Sequence, residues 1–354
     1  FMGDPDVMDT WATSSLTPQI AGGWERDEDL WSRVWPFDVR PQAHEIIRTW
    51  LFSTVVRAHL ESDTLPWSDA SISGWILDPD RKKMSKSKGN VVTPMDLLDE
   101  HGSDGVRYWA ASGRPGTDTA FDVGQMKVGR RLTIKVLNAS KFALSLGGTK
   151  GATPSDVTEA LDQAMLAQLA DTVTQATKAF EEFNYTRALE AAESFFWQFC
   201  DDYVELVKDR VYGARGDQAA ASAKAALGLA TQTYLKLFAP FLPFVTDEVW
   251  SWWQEGSVHK STWPASEAIA ACAGSTSADV MVAVSDVLSQ IRKVKSEAQV
   301  SMKTEIVSAT ITAPASVIAL AQLAESDLLT AGRITSVTWT EGAEISVEAV
   351  LATE

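Results

Sequence analysis

Hydrophobic and polar positions follow a helical pattern along the middle of the chain, from residue 126 to residue 266. Apolar residues recur there every three or four positions, which is the spacing of one helix face. The pattern predicts helices at Lys127–Leu146, Asp156–Phe183, Thr186–Tyr212, Gln218–Phe238 and Pro240–Trp253. Because the connections between these helices are short, we expect an α-helical bundle.

Residues 1–125 have a mixed pattern. Apolar positions at roughly helical spacing predict a helix at Glu45–Leu60, and Ser71–Leu77 is predicted as a strand. Eight of the fourteen tryptophans lie within the first 110 residues, which indicates a loop-rich segment with packed aromatic side chains. The sequence therefore predicts an α/β domain here.

Residues 278–354 combine helix and strand patterns. A helix is predicted at Asp279–Glu297, followed by strand-like segments at Glu305–Thr312, Ile334–Thr340 and Glu344–Leu351. Ala268–Ser277, which is rich in small residues, is predicted as a linker before this small α+β domain. The expected architecture is thus multidomain, with parts at 1–125, 126–266 and 278–354.

Composition narrows the classes of protein. Two cysteines, Cys200 and Cys272, exclude a disulfide framework, and no metal-ligand spacing of cysteine and histidine is present, so no metal site is expected. No run of 18 apolar residues indicates a membrane span, so we expect a cytoplasmic protein without a membrane partner. The net charge of −16 argues against nucleic acid as a partner. However, residues 81–141 hold twelve Lys and Arg against six acids, a local charge of +6.

The most specific motif is Lys83-Met84-Ser85-Lys86-Ser87, followed by Lys88-Gly89-Asn90. Two lysines three positions apart, with small hydroxyl residues around them and a glycine beyond, make a cationic loop that can close over a polyphosphate. Transfer of a nucleotidyl group develops negative charge on the departing pyrophosphate, and ammonium groups aimed there stabilise the transition state. An ordinary exposed lysine and serine loop is the alternative interpretation of this string.

The surrounding sequence resembles the class I aminoacyl-tRNA synthetases, and among them the valine-specific members. Lys83–Ser87 is similar to the KMSKS motif of that family, and Asp9-Thr10-Trp11 resembles its valine-type Asp-Thr-Trp segment. Gln42-Ala43-His44-Glu45 resembles the adenylate-binding segment, although Ala43 stands where glycine is usual. Ala239–Trp250 resembles the family's anticodon-binding bundle.

The resemblance implies a fold and an activity. Residues 1–125 would be the C-terminal half of a Rossmann-type catalytic domain, and residues 126–266 the anticodon-binding domain. The implied reaction is ATP-dependent formation of valyl-adenylate and transfer of valine to the 3′ end of tRNA(Val). ATP with Mg²⁺ is then a substrate, no prosthetic group is expected, and the protein is expected to act as a monomer.

Individual roles follow from the same resemblance. Lys83 and Lys86 would act on the ATP phosphates as catalytic residues. The ATP and adenylate would be bound by Lys83, Met84, Ser85, Lys86, Ser87, Gln42, His44 and Glu45. An apolar valine pocket would be walled by Trp11, Ile46 and Ile47, residues that ordinary core packing explains as well.

A basic stripe lies on the helix predicted at Lys127–Leu146. Lys127, Arg131 and Lys135 are spaced four apart and so share one helix face, flanked by Arg130. We expect these four residues to contact tRNA phosphates, independently of base sequence. A merely solvated face explains the same spacing, and which residues read the anticodon does not follow from the sequence.

The family also needs a His-Ile-Gly-His-like element, yet no two of the histidines at 44, 59, 101 and 259 are three positions apart. We therefore expect the chain to be the C-terminal portion of such an enzyme, without its editing domain and inactive on its own. Two alternatives stay open at this point. One is an isoleucine–tRNA ligase fragment, and the other is a tRNA-binding protein without catalysis.

Overall fold

A computed structural model describes residues 2, 10–85, 87, 89–147 and 153–352. The chain divides into two compact units. The first unit comprises residues 1–96 and 112–123, and the second comprises residues 97–111 and 124–354. The helical bundle and the C-terminal sheet, predicted as separate domains, belong to the same second unit.

The first unit mixes short helices with pairs of parallel strands. Strand β1 pairs with β2 in parallel from Phe37↔Trp67 to Ala43↔Ser73, and β3 pairs in parallel with β4. One 3₁₀ turn (His44–Ile46) and one π-helical turn (Ile47–Leu51) lead into α4, so the predicted helix at Glu45–Leu60 is confirmed in irregular form. The elements are α1 (Thr10–Ser14), α2 (Thr17–Gly22), α3 (Glu28–Val34), β1 (Phe37–Ala43), α4 (Phe52–Ser62), β2 (Trp67–Ser73), β3 (Ile76–Leu77) and β4 (Thr119–Ala120).

The single strand predicted at Ser71–Leu77 is wrong, because the strand breaks at Gly74. A Cβ atom at Gly74 would lie 2.2 Å from the carbonyl oxygen of Thr117, so only glycine allows the two backbones to approach this closely. The amide of Trp75 then donates to the Asp118 carboxylate at 2.8 Å. The break lets the chain change partners, from β1 before Gly74 to β4 after it.

The second unit is dominated by helices. Its elements are α5 (Met95–Ala111), α6 (Val123–Ser145), α7 (Ala160–Glu181), α8 (Tyr185–Gln198), α9 (Val204–Val211), α10 (Asp217–Phe238), α11 (Pro243–Ser251), α12 (Ser266–Ala273), α13 (Asp279–Glu297), β5 (Ile306–Ala313), α14 (Ala315–Gln322), α15 (Glu325–Gly332), β6 (Ile334–Glu341) and β7 (Ser346–Leu351). The predicted helices are confirmed with shifted ends, and a π-helical turn at Phe199–Tyr203 joins α8 to α9.

One continuous hydrophobic core runs through the bundle and into the C-terminal sheet. At its centre the fully buried Phe196 meets Tyr234 and Phe238 edge-on, with ring centroids 5.1 and 5.4 Å apart. Strand β5 lies between β6, which is parallel to it, and β7, which is antiparallel. Its alternating buried positions, such as Ile311, extend the same core.

The linker predicted at Ala268–Ser277 is wrong over its first half. That stretch lies mostly in α12, whose Ile269, Cys272 and Ala273 are buried, and α12 packs along α7. Alanine is the best helix former, and small side chains allow close helix packing. A stretch of small residues therefore fitted a helix as well as a linker. Within the part of the chain that the structure describes, no helix has the length and apolar character needed to cross a membrane.

Candidate active site

The motif Lys83–Ser87 follows a tight turn in the first unit. The amide of Asp78 donates to the Lys82 carbonyl at 2.9 Å, and Arg81 donates to the Asp78 carbonyl at 2.9 Å. Arg81 has a left-handed backbone (φ 60), which closes the turn. Lys83 then forms an antiparallel bridge with Leu77 at the end of β3, so its backbone is an extension of the sheet edge.

Two polar side chains close the base of this loop. The Asp78 carboxylate accepts from the Lys82 amide and from the Asn90 side-chain amide, both at 2.7 Å. The Asn90 side-chain oxygen accepts from the Ser85 amide at 2.9 Å. The hydrogen bond from the Lys82 backbone, and next that from Asn90, hold the pKa of Asp78 below its usual value. The sequence analysis gave neither residue a role, although Asp78-Pro79-Asp80 is a turn signal and Asn90 ends the extended motif.

The Lys83 ammonium lies against two groups of the first unit. Its Nζ is 3.4 Å from a Glu45 carboxylate oxygen and 4.3 Å from the centre of the Trp75 ring. His44 packs on the same indole, with centroids 4.8 Å apart, and its Nδ1 is 3.2 Å from the Ser73 carbonyl oxygen. The structure thus brings together three residues that the sequence assigned to ATP or adenylate: Lys83, Glu45 and His44.

The other predicted nucleotide-binding residues are placed as follows. Gln42 is buried near the end of β1, and its side-chain oxygen has no hydrogen-bond partner among the described residues. Met84 follows Lys83, and the hydroxyls of Ser85 and Ser87 are 3.0 Å apart. Lys86 lies outside the described residues, so its predicted role stays a prediction.

The three residues of the predicted valine pocket lie in the first unit, on α1 and on the two turns before α4. Trp11 and Ile46 are half-buried, and Ile47 is 41% exposed. A cleft of about 380 Å³ does lie between α1 and α4 of the first unit, but these three residues do not line it. Its lining includes Ala12, Ser15, Phe52, Val56, Arg57 and Leu60.

The predicted basic stripe on α6 is divided by the structure of the second unit. Lys127 and Arg131 are exposed, and neither forms an ion pair with a described residue. Lys135 instead pairs with Asp201 at 3.0 Å and lies 5.7 Å from the Trp197 ring centre, while Arg130 donates to the Glu100 carbonyl. Two of the four predicted cations are therefore presented outward, and two are engaged within the protein.

No group of three or more His, Cys, Asp or Glu side chains within the described ranges could hold a metal ion. The described residues around Lys83 comprise cations, an acid, an aromatic ring and hydroxyls.

Comparison with known proteins assigns this arrangement to a family. Residues 1–122 match the family of class I tRNA synthetases (I, L, M and V), and residues 162–311 match the anticodon-binding domain of tRNA ligases. In three dimensions the chain resembles the LeuRS of Agrobacterium radiobacter K84, solved as a ternary complex with tRNA and LeuAMS. The TM-score is 0.62 at 22% identity, over 75% of this chain and 34% of that one.

Relatives in sequence include the valine–tRNA ligases of Thermobifida fusca, Salinispora tropica and Cutibacterium acnes. They are 60%, 57% and 56% identical over 99%, 95% and 99% of this chain. The chain spans about 40% of the length of these relatives. The chain therefore belongs to the class I aminoacyl-tRNA synthetase family, as a relative of the valine–tRNA ligases.

Proposed function

We propose that this chain contributes to a valine–tRNA ligase activity, in which valine is activated with ATP and transferred to tRNA(Val). The observation that carries the proposal is the placement of Lys83 beside Glu45 and Trp75, on the sequence motif that gives the family its KMSKS loop. The identity of 60% to the Thermobifida fusca valine–tRNA ligase supports valine as the amino acid.

In the first step, the carboxylate of valine attacks the α-phosphorus of ATP and pyrophosphate leaves. The ammonium of Lys83, with that of Lys86, neutralises the negative charge that grows on the departing pyrophosphate. Such groups accelerate the reaction because they bind the transition state more tightly than the bound ATP. Mg²⁺ enters with the ATP phosphates as part of the substrate.

In this proposal Glu45, which pairs with Lys83 in the structure, accepts hydrogen bonds from the ribose hydroxyls once ATP is bound. The Lys83–Glu45 pair must open when ATP binds, because Glu45 then serves the ribose and Lys83 the phosphates. Both side chains are partly exposed, at 49% and 38%. Pairs of this kind stabilise a fold by at most about 1 kcal/mol, so the binding of ATP can break the pair at small cost.

The second unit is proposed to bind tRNA. The exposed cations of α6, Lys127 and Arg131, are suited to phosphate contact, which depends on charge and not on base sequence. The finer architecture is part of the same proposal. The parallel pairing of β1 with β2 supports the second half of a Rossmann-type domain in the first unit, and the match at residues 162–311 supports an anticodon-binding bundle. A monomer is proposed as the working form.

The experiment is valine-dependent exchange of pyrophosphate into ATP, measured on the natural polypeptide that contains these 354 residues. Exchange with valine and much weaker exchange with isoleucine is the expected result. Lys83→Ala should lower the exchange rate about 10²–10³-fold, the usual effect of removing one charge-stabilising donor. Lys82→Ala is the matched control, because the neighbouring Lys82 pairs only loosely with Asp80, at 3.8 Å, and is 70% exposed.

Two results would contradict the proposal. The first is a wild-type polypeptide that binds tRNA but shows no exchange with any amino acid, since this would leave a tRNA-binding protein. The second is a Lys83→Ala variant that exchanges pyrophosphate as fast as Lys82→Ala.

A further inference from the structure

We propose that Asp78 and Asn90 are positioning residues for the activation step, a matched pair that fixes the backbone of Lys83 so that its ammonium reaches the ATP phosphates. The inference rests on the proposed function, because it assigns to these residues a part in the same reaction. Neither residue was predicted from the motif, and neither is proposed to touch the substrate.

The first argument is that the polar groups of Asp78 form hydrogen bonds with residues of the loop. Its amide and its carbonyl close the turn with Lys82 and Arg81, both at 2.9 Å. One carboxylate oxygen accepts from the Lys82 amide and the other from the Asn90 side chain, both at 2.7 Å. Asp78 is 6% exposed. Hydrogen bonds must compensate the desolvation cost of a buried carboxylate. A substitution of Asn90 is therefore expected to disturb Asp78 as well, and the reverse.

The second argument is that Asn90 holds the motif itself. Its side-chain oxygen accepts from the Ser85 amide at 2.9 Å, and its NH₂ group lies 3.3 Å from the Lys83 carbonyl oxygen. Lys83 is thus fixed from two sides, by Asn90 and by its bridge to Leu77. The pair closes the segment between residues 78 and 90 at its base, while the Lys83 side chain points away from it, towards Glu45 and Trp75.

The consequence for catalysis is geometric. A displacement of about 1 Å in a reacting or stabilising group can cost about 10²-fold in rate. Loss of the Asn90 side chain frees the Ser85 amide and the Lys83 carbonyl, and leaves one carboxylate oxygen of Asp78 without its donor. The Lys83 backbone is then no longer held in place, so the position of its ammonium is not fixed, although every atom of the side chain is still present.

The pair also offers an exchange test. In the wild type the Asn90 amide donates to the Asp78 carboxylate. In Asn90→Asp alone, a second carboxylate faces that of Asp78, and the two repel each other. In Asp78→Asn alone, two amide groups meet, and one donor faces another. In the double variant Asp78→Asn with Asn90→Asp, residue 78 donates to residue 90, while both still accept from the amides of Lys82 and Ser85. The longer contact to the Lys83 carbonyl, at 3.3 Å, loses its donor, and a carboxylate oxygen takes that place.

The experiment measures kcat and KM of valine-dependent pyrophosphate exchange in the natural polypeptide that contains these residues. For Asn90→Ala we expect a loss of about 10–10²-fold in kcat/KM for ATP, with the KM for valine unchanged. The double variant should recover most of the loss of either single variant. Asp80→Asn is the matched control for Asp78→Asn, because it removes the same charge from a neighbouring carboxylate that is 79% exposed. It also shows how far a substitution in this segment that leaves the Asp78–Asn90 pair intact affects the rate.

The outcomes separate the two proposals. No exchange by the wild type contradicts the proposed function. Exchange by the wild type, with Asn90→Ala no slower than Asp80→Asn, contradicts the positioning role alone. So does an equal loss for ATP and valine, because general damage to the fold affects both. If a single variant unfolds, the double variant decides: activity near that of the wild type supports the pair, and a folded but slow double variant overturns it.

Discussion

The two units differ most in where their apolar side chains lie. Within the described ranges, the buried apolar residues of the first unit are Trp50, Ala58 and Trp67, whereas the second unit contains an extended core. Both units expose some large apolar side chains, for example Phe52 at 62% and Leu60 at 78% in the first and Phe244 at 64% in the second. The unit that carries the proposed chemistry thus has the thinner core, and local polar contacts such as Asp78–Asn90 fix its geometry.

The second unit also buries an ion pair, whereas the Lys83–Glu45 pair of the first unit is partly exposed. Arg210 is 1% exposed and forms two hydrogen bonds of 2.7 Å with the Asp162 carboxylate, one to each oxygen. Its third contact is with Asp327 at 3.0 Å. The hydroxyls of Tyr203 and Ser222 complete the network, at 2.8 and 2.6 Å from Asp162. The network joins α7, α9 and α10 to α15, so the bundle and the C-terminal part are coupled through ions as well as through the core.

The largest predicted effect concerns this network. Arg210→Ala leaves the Asp162 carboxylate buried without its cation and leaves Asp327 with Arg215 alone, at 3.2 Å. This is expected to lower the free energy of unfolding of the second unit by about 3–5 kcal/mol. Urea unfolding followed by near-ultraviolet circular dichroism measures this change. A loss below about 1 kcal/mol would mean that the network is solvated and that the contrast between the units is overstated.

The next effect concerns the order in which the units open. Amide hydrogens of the first unit are expected to exchange at least about tenfold faster than those of the second, a difference of about 1.4 kcal/mol. Hydrogen exchange read by mass spectrometry on peptides from each unit measures it. Equal protection of α4 and α10 would contradict the difference in core thickness.

Thiol chemistry gives a second measure of that order. Both cysteines lie buried in the second unit, and burial raises the pKa of Cys200 to about 12. We expect neither thiol to react with a disulfide reagent at pH 8 while the first unit opens. Reaction of Cys200 or Cys272 before exchange of the α10 amides would show that the second unit opens locally and independently of its core.

The pH dependence of stability should have opposite signs for Asp78 of the first unit and Asp104 of the second. Hydrogen bonds lower the pKa of Asp78, so its contribution is present above its ordinary pKa of about 3.9 and is lost as pH falls below that value. Burial raises the pKa of Asp104, which therefore takes up its proton in the folded state first. Asp104, which lies in the second unit, therefore makes folding more favourable as the pH falls towards 4. Unfolding of wild type, Asp78→Asn and Asp104→Asn between pH 6 and 3 measures both trends. A parallel response of the two variants would contradict the opposite signs.

The smallest effect is a matched control for Arg210. Arg33 and Asp29 form an ion pair of 2.6 Å in the first unit, with side chains that are 67% and 80% exposed. Arg33→Ala should change the stability by at most about 0.5 kcal/mol, because water screens such helical pairs. Urea unfolding, as used for Arg210→Ala, measures the change here as well. A large loss would show that exposed pairs carry weight in the thinner unit.

Helical periodicity predicted most of the second unit, because a long amphipathic helix repeats its signal many times. α13 was predicted to the residue, at Asp279–Glu297. Shorter features escaped. The break at Gly74 depends on the approach of Thr117, and α12 depends on packing against α7. Both are contacts with distant parts of the chain, which local sequence does not encode.

The candidate site was predictable in its motif but not in its supports. Lys83 and Glu45 were named from the sequence, and the structure places them 3.4 Å apart. Sequence spacing alone cannot pair Asp78 with Asn90, nor Arg210 with residues 48 and 117 positions away. Lys135 was predicted to contact tRNA, but the structure gives it Asp201, a residue of the π-helical turn. A partner of opposite charge on another helix is not visible in a helical stripe.

The most direct test of this division of labour compares two variants of the natural polypeptide in two assays. Lys83→Ala should slow both pyrophosphate exchange and valine transfer to tRNA, by about 10²–10³-fold. The double charge reversal Lys127→Glu with Arg131→Glu should leave exchange within about twofold of wild type, since exchange needs no tRNA. It should weaken tRNA transfer about tenfold, with a smaller salt dependence. The account is contradicted if the charge reversal slows exchange as much as Lys83→Ala does, or if Lys83→Ala leaves exchange unchanged.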